Sequence, residues 1–135
     1  LVQGHMFEKS SAKYTSALDS AIYEGMATVF ERVYAGVSEP YGDYSSTDET
    51  LLAKWRDEMA TITHAGFLAN DGAIWRQWAF YDQNDGYGWK MYKTGTWIVD
   101  QCLAQTGKDA LDIVHMPASD IYSIVSFDHS KNTKS

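Results

Sequence analysis

A glycine stands in the middle of the strongest amphipathic pattern in this chain. Leu18, Ile22, Met26, Val29, Phe30 and Val33 recur at helical spacing and predict one long helix over residues 10–34. Gly25 falls inside it, within Glu24-Gly25-Met26-Ala27. A glycine there costs about 1 kcal/mol relative to alanine. It therefore implies a neighbouring element so close that no side chain fits, and the residue next to that approach is a carboxylate.

The rest of the chain reads as more helix. Gly36 closes the first helix, and 37–47 form a loop around Pro40 and Gly42. Ser46-Thr47-Asp48-Glu49 fits a capping box. A second helix follows, with Leu52, Trp55, Met59 and Ile62 on one face, ending at Asn70-Asp71-Gly72. A short helix over 73–81 and a turn at Asp82–Gly86 precede a third long helix over 88–106, stopped by Gly107. Two short helices, 108–115 and 117–126, close the domain. Residues 121–127 alone alternate in a way that also suits a strand. The expected fold class is all-α: a compact helical domain of three long helices plus two or three short ones. Residues 1–6 contain Gly-His-Met and read as a cloning scar, 7–127 as the helical domain and 128–135 as a flexible tail.

Bulk properties exclude some functions. The 135 residues are 44% hydrophobic and 21% charged, which suits one packed domain. A net charge of −7 argues against nucleic acid and anionic membranes as partners. No apolar run approaches the roughly 18 residues of a membrane span. Cys102 is the only cysteine and lies on an apolar helical stripe, where a buried inert thiol is expected. The histidines, at 5, 64, 115 and 129, form no His-x-x-x-His pair, so no tightly bound zinc is expected on this chain alone. Asp82–Gly86 resembles a calcium loop but has glycine at the fifth position and Lys93 at the twelfth. Glu24 and Glu31 lie two turns apart on the first helix, a spacing that also suits a solvated face. Aromatics crowd the stretch from Trp75 to Trp97, as core or as a groove for a ligand.

Two segments resemble a known superfamily. Ile22-Tyr23-Glu24-Gly25-Met26-Ala27 is similar to the asparagine-glutamate-glycine-phenylalanine-alanine helix of gluzincin metallopeptidases, which include the thermolysin-like and M1 aminopeptidase enzymes. Tyr92-Lys93-Thr94-Gly95-Thr96-Trp97-Ile98-Val99, with Leu103 and Gly107-Lys108-Asp109-Ala110, resembles a second segment of that family. The likeness extends to predicted zinc-dependent proteases of uncharacterised bacterial families. It implies that Glu24 is a zinc ligand and Tyr92 a donor to the oxyanion of the transition state. Two departures stand beside it. Tyr23 replaces the asparagine common before the glutamate, and no His-Glu-x-x-His precedes Glu24 in this sequence.

The resemblance thus implies the C-terminal helical part of a zinc metallopeptidase, inactive in isolation. Zinc belongs to the parent protein, and the partner is the missing N-terminal half or a second copy, with peptide as substrate. A non-catalytic helical binding module with an aromatic-rich groove is the alternative. An enzyme using carboxylates in an aromatic cleft is a third reading. The first reading requires Glu24 and Tyr92 to face one cleft.

Overall fold

Two helices that run side by side in the same direction organise the molecule. The computed structural model describes residues 16–36, 40–113 and 115–125. The expected scar at 1–6, the start of the first helix at 10–15 and the tail at 128–135 lie outside those residues, as do 37–39 of the loop. Helix α1 is Ala17–Phe30 and continues into a π-helical turn, Glu31–Ala35. A 3-10 turn, Pro40–Gly42, follows. Then come α2 (Glu49–Thr61), α3 (His64–Ala79), a two-stranded hairpin of β1 (Tyr81–Asp82) and β2 (Tyr87–Gly88), α4 (Lys90–Thr106) and the short α5 (Ala110–Ile113). Residues 118–125 are also helical. The fold is thus mostly helical, as the periodicity predicts.

Helices α1 and α4 form the centre. Leu18, Ile22, Met26 and Val29 of α1 and Met91, Ile98, Val99 and Cys102 of α4 are buried. Leu52, Trp55 and Met59 of α2 and Phe67 and Trp78 of α3 pack around them. Tyr23 is buried too, and its hydroxyl accepts a hydrogen bond from the Ala118 N–H at 2.9 Å, which ties the closing helix to α1. Burial pushes the Cys102 thiol pKa up, as befits an inert core thiol.

Several elements differ from the sequence expectation, each for a local reason. The stripe fails at Val33, which is exposed, because the helix widens into the π turn before Gly36 ends it in the left-handed conformation. The expected second helix is two. Ile62 and Thr63 are extended, Ser16 bridges Thr63, and the Ala17 N–H bonds the Ile62 carbonyl at 2.9 Å. The Thr63 hydroxyl then caps α3 by accepting from Gly66 N–H. The break expected at Asn70–Gly72 is present, with three successive left-handed residues. The capping box at Ser46–Glu49 does not form. Residues 44–47 turn instead, with Thr47 N–H on the Tyr44 carbonyl, and Asp48 becomes the N-cap of α2. The ambiguous stretch at 121–125 is helix, not strand.

Candidate functional site

The glycine of α1 meets a glycine of α4. A methyl group on Gly95 would overlap the Ala21 carbonyl, and one on Gly25 would overlap the Gly95 backbone. The close approach that Gly25 implies is therefore made by α4, the helix that carries Tyr92. Backbones in contact bring the residues flanking the seam face to face.

Those residues form a ladder of three rungs, two of them hydrogen-bonded and the third, Glu24 and Tyr92, set opposite by the same register. Both helices present a row at i, i+4 and i+8: Glu24, Thr28 and Arg32 on α1 and its π turn, Tyr92, Thr96 and Asp100 on α4. The Thr28 and Thr96 hydroxyls share a buried hydrogen bond at 2.5 Å, and Thr28 also donates to the Gly25 carbonyl at 2.9 Å. Arg32 donates twice to Asp100, at 2.6 and 3.2 Å. Asp100 holds the Arg32 guanidinium pKa up. The row from Glu24 therefore runs to Arg32 at its far end, and Glu31 takes no part in these rungs.

A strap from the 3-10 turn lies along the ladder. The Tyr41 ring centroid is 4.8 Å from that of Tyr92. Gly42 sits on the middle rung, where a side chain would press on the Thr96 hydroxyl and the Thr28 methyl. The Tyr44 hydroxyl donates to Asp100 at 2.6 Å, and its pKa is raised by burial first and by that carboxylate second. A cleft of about 550 Å³ lies between strap and helices beside the middle and far rungs, with Thr28, Arg32, Tyr44, Thr96 and Asp100 in its lining, while neither Glu24 nor Tyr92 lines it.

Glu24 and Tyr92 are both half-buried, on facing helices. Burial pushes the Tyr92 phenol up to about 12, and the Glu24 carboxylate and then Tyr41 push the same way. The two residues singled out from sequence thus lie within electrostatic reach of each other. At neutral pH the phenol keeps its proton and can only donate a hydrogen bond to an added oxyanion while it does so. A half-buried carboxylate suits a divalent metal as one oxygen ligand. Among the described residues, however, no group of three or more His, Cys, Asp or Glu side chains is placed to hold a metal ion. Among the described residues, Glu24 offers one oxygen ligand, and no further set of ligands is grouped with it.

The calcium-like loop has a different use. The Lys90 ammonium, in a residue only 2% exposed, donates to Asp82 at 2.6 Å and Asp85 at 2.9 Å. It also lies 4.1 Å from the centroid of the Trp78 ring. Burial alone would raise the Asp82 carboxyl pKa, but the bonds from Lys90 and the Asn84 N–H outweigh it and the net shift is downward. The aromatics divide. Trp55, Trp78 and Trp97 are core, while Phe80, Tyr81, Tyr87 and Trp89 are exposed.

Sequence reasoning misses Thr28, Arg32, Tyr41, Tyr44, Thr96 and Asp100. The signal available was the shared four-residue spacing of polar groups on two apolar helices. It acquires meaning only once those helices are known to be neighbours.

A family model described as a predicted Zn-dependent protease (DUF2268) matches residues 5–123. No curated protein and no solved structure matches significantly.

Proposed function

The chain belongs to the DUF2268 family of predicted Zn-dependent proteases, and on that premise we propose that it supplies the carboxylate and phenol side of a gluzincin-like zinc site. Glu24 is the metal ligand. Tyr92 is the hydrogen-bond donor to the oxyanion formed when a peptide bond is attacked. The histidines and the general base come from a His-Glu-x-x-His segment of the parent protein, which is also the partner of this chain. By itself the chain is inactive, because one carboxylate cannot replace a full ligand set.

The observation that carries this reading is the Glu24–Tyr92 rung. Glu24 and Tyr92 lie on facing helices, 68 positions apart like the hydrogen-bonded pairs of the ladder, and the carboxylate adds to the upward shift that burial gives the phenol. The zinc, when bound, polarises the scissile carbonyl and activates water. The residues of this chain do the rest of what falls to them. Glu24 brings negative charge from α1, Tyr92 holds a proton at its phenol oxygen, and the strap keeps the Tyr92 ring in place through Tyr41.

Peptide hydrolysis by the parent protein tests the assignment. Tyr92→Phe is expected to lower kcat about 100-fold or more with KM nearly unchanged, as for loss of an oxyanion donor, and zinc content should stay full. Undiminished kcat in that variant would remove Tyr92 from the chemistry. The exposed aromatics support a second reading, a non-catalytic module with an aromatic groove. Peptide binding by a parent that never hydrolyses would favour it.

A further inference from the structure

Trp89 combines three properties that ordinary packing does not explain. It is a bulky residue in the left-handed region, with φ 56° and ψ 36°. Its side chain is not in the core: the residue is 39% exposed. And it lies one helical turn before Tyr92, with its ring 6.4 Å from Tyr41 in an edge-on arrangement, while Tyr41 in turn packs on Tyr92.

The strained backbone is held by its surroundings. The Trp89 N–H donates to the Phe80 carbonyl at 2.7 Å. Tyr81 pairs with Gly88 and Asp82 with Tyr87 in the hairpin just before it. Lys90, next in the chain, is locked to Asp82 and Asp85. Glycine or asparagine would adopt this conformation more readily. A large apolar side chain kept there, and presented to solvent beside a candidate site, is the kind of outlier that marks a contact surface.

The geometry points to Trp89, with Tyr41 and Tyr92, as a shelf that receives a large apolar or aromatic side chain of a peptide substrate next to the bond presented at Glu24. Three features favour that substrate class. The shelf is built of ring faces and edges, which favour another ring or a broad aliphatic group. It is continuous with the Glu24–Tyr92 rung through Tyr41. The charged groups of the neighbouring hairpin, Lys90, Asp82 and Asp85, are bonded to one another. This inference rests on the peptidase reading for its substrate, and its test separates the two.

The probe is a pair of acetylated, amidated pentapeptides that differ only in a central phenylalanine or alanine. Binding to the whole chain and to each variant is followed by calorimetric titration, which needs no signal from the indole. The phenylalanine peptide is expected to bind about tenfold tighter, the order of discrimination that an apolar pocket gives. Trp89→Gly, which suits the backbone and removes the ring, should bring the ratio to near one. Trp89→Asn gives the same test should the glycine variant fold poorly. Trp89→Tyr should restore part of the preference. Equal affinities in the unaltered chain, or a ratio that survives loss of the indole, would overturn the shelf. A preference for phenylalanine in a parent protein that shows no zinc-dependent cleavage would sink the peptidase reading and leave the shelf standing. Zinc-dependent cleavage indifferent to that side chain would do the reverse.

Discussion

The seam between α1 and α4 and the hairpin that leads into α4 solve opposite problems. At the seam, Gly25 and Gly95 remove side chains so that two backbones touch, and buried threonines bond across the gap. At the hairpin, large aromatic side chains stay exposed and a lysine is buried instead. The seam fixes where Glu24 and Tyr92 face each other. The hairpin, through Lys90 and the left-handed Trp89, fixes what surrounds them. Rigidity at the site therefore comes from small residues on one side and from a paired charge on the other.

The contrast breaks most visibly at the seam. Gly95→Ala gains about 1 kcal/mol of helix propensity. It also drives a methyl group into the Ala21 carbonyl, a backbone atom that cannot rotate away. Overpacking of that kind costs about 3 kcal/mol or more, so the collision wins. Chemical denaturation should show a loss of a few kcal/mol. A stable alanine variant would mean that the helices lie farther apart than described.

The next largest effect belongs to the hairpin. Lys90→Met keeps an apolar stem on Trp78 but leaves Asp82 buried without its ammonium, which costs about 3 kcal/mol. Lys90→Met with Asp82→Asn should recover most of it, because neither group then needs a counter-charge. The same pair sets a pH dependence. Asp82 has a lowered pKa in the folded chain. Its contribution is therefore fully present above the unfolded value of about 4 and is lost as the pH falls through the lower folded value. Stability measured from pH 5 downward should fall more steeply in the native chain than in Lys90→Met. Parallel curves would show that the lysine does not hold that carboxylate.

Smaller effects sharpen the comparison. Trp89→Gly relieves a left-handed backbone whose strain is about 1 kcal/mol or more, against the loss of an edge contact to Tyr41. Unchanged or slightly raised thermal stability is expected, and a marked loss would make Trp89 a structural residue. Glu24→Gln should lower the Tyr92 titration from about 12 but not to the ordinary value of 10.0, because burial, the largest cause, remains. Absorbance in alkali reads this. An unmoved Tyr92 would place the two residues out of reach of each other.

Legibility from sequence follows the same division. Helix α4 could be read almost to its ends, because its apolar period is regular and Gly107 stops it in a left-handed turn. Gly25 announced the seam for the same kind of reason: a local cost demands a local cause. The split between α2 and α3 could not be read, since Ile62 and Thr63 are held extended by Ser16 and Ala17, more than 40 positions away in the chain. The ladder was equally hidden. Arg32 and Asp100 look like surface charges until the two helices are laid together. Lys90 shows the limit of composition most clearly, for nothing in the run Trp89-Lys90-Met91 announces that its ammonium is buried on Asp82 and Asp85. Tyr92 was legible only through its likeness to a family segment, and Glu24 through that likeness and the glycine beside it.

Calorimetric titration of zinc into the parent protein and its Glu24→Gln variant addresses the central assignment most directly, with the isolated chain as reference. One tight site is expected in the parent, weakened more than about 100-fold by Glu24→Gln, beyond what loss of a mere neighbour of a ligand produces, and no tight site in the isolated chain. Equal zinc affinity with and without the Glu24 carboxylate, or a tight one-to-one site on this chain alone, would contradict it.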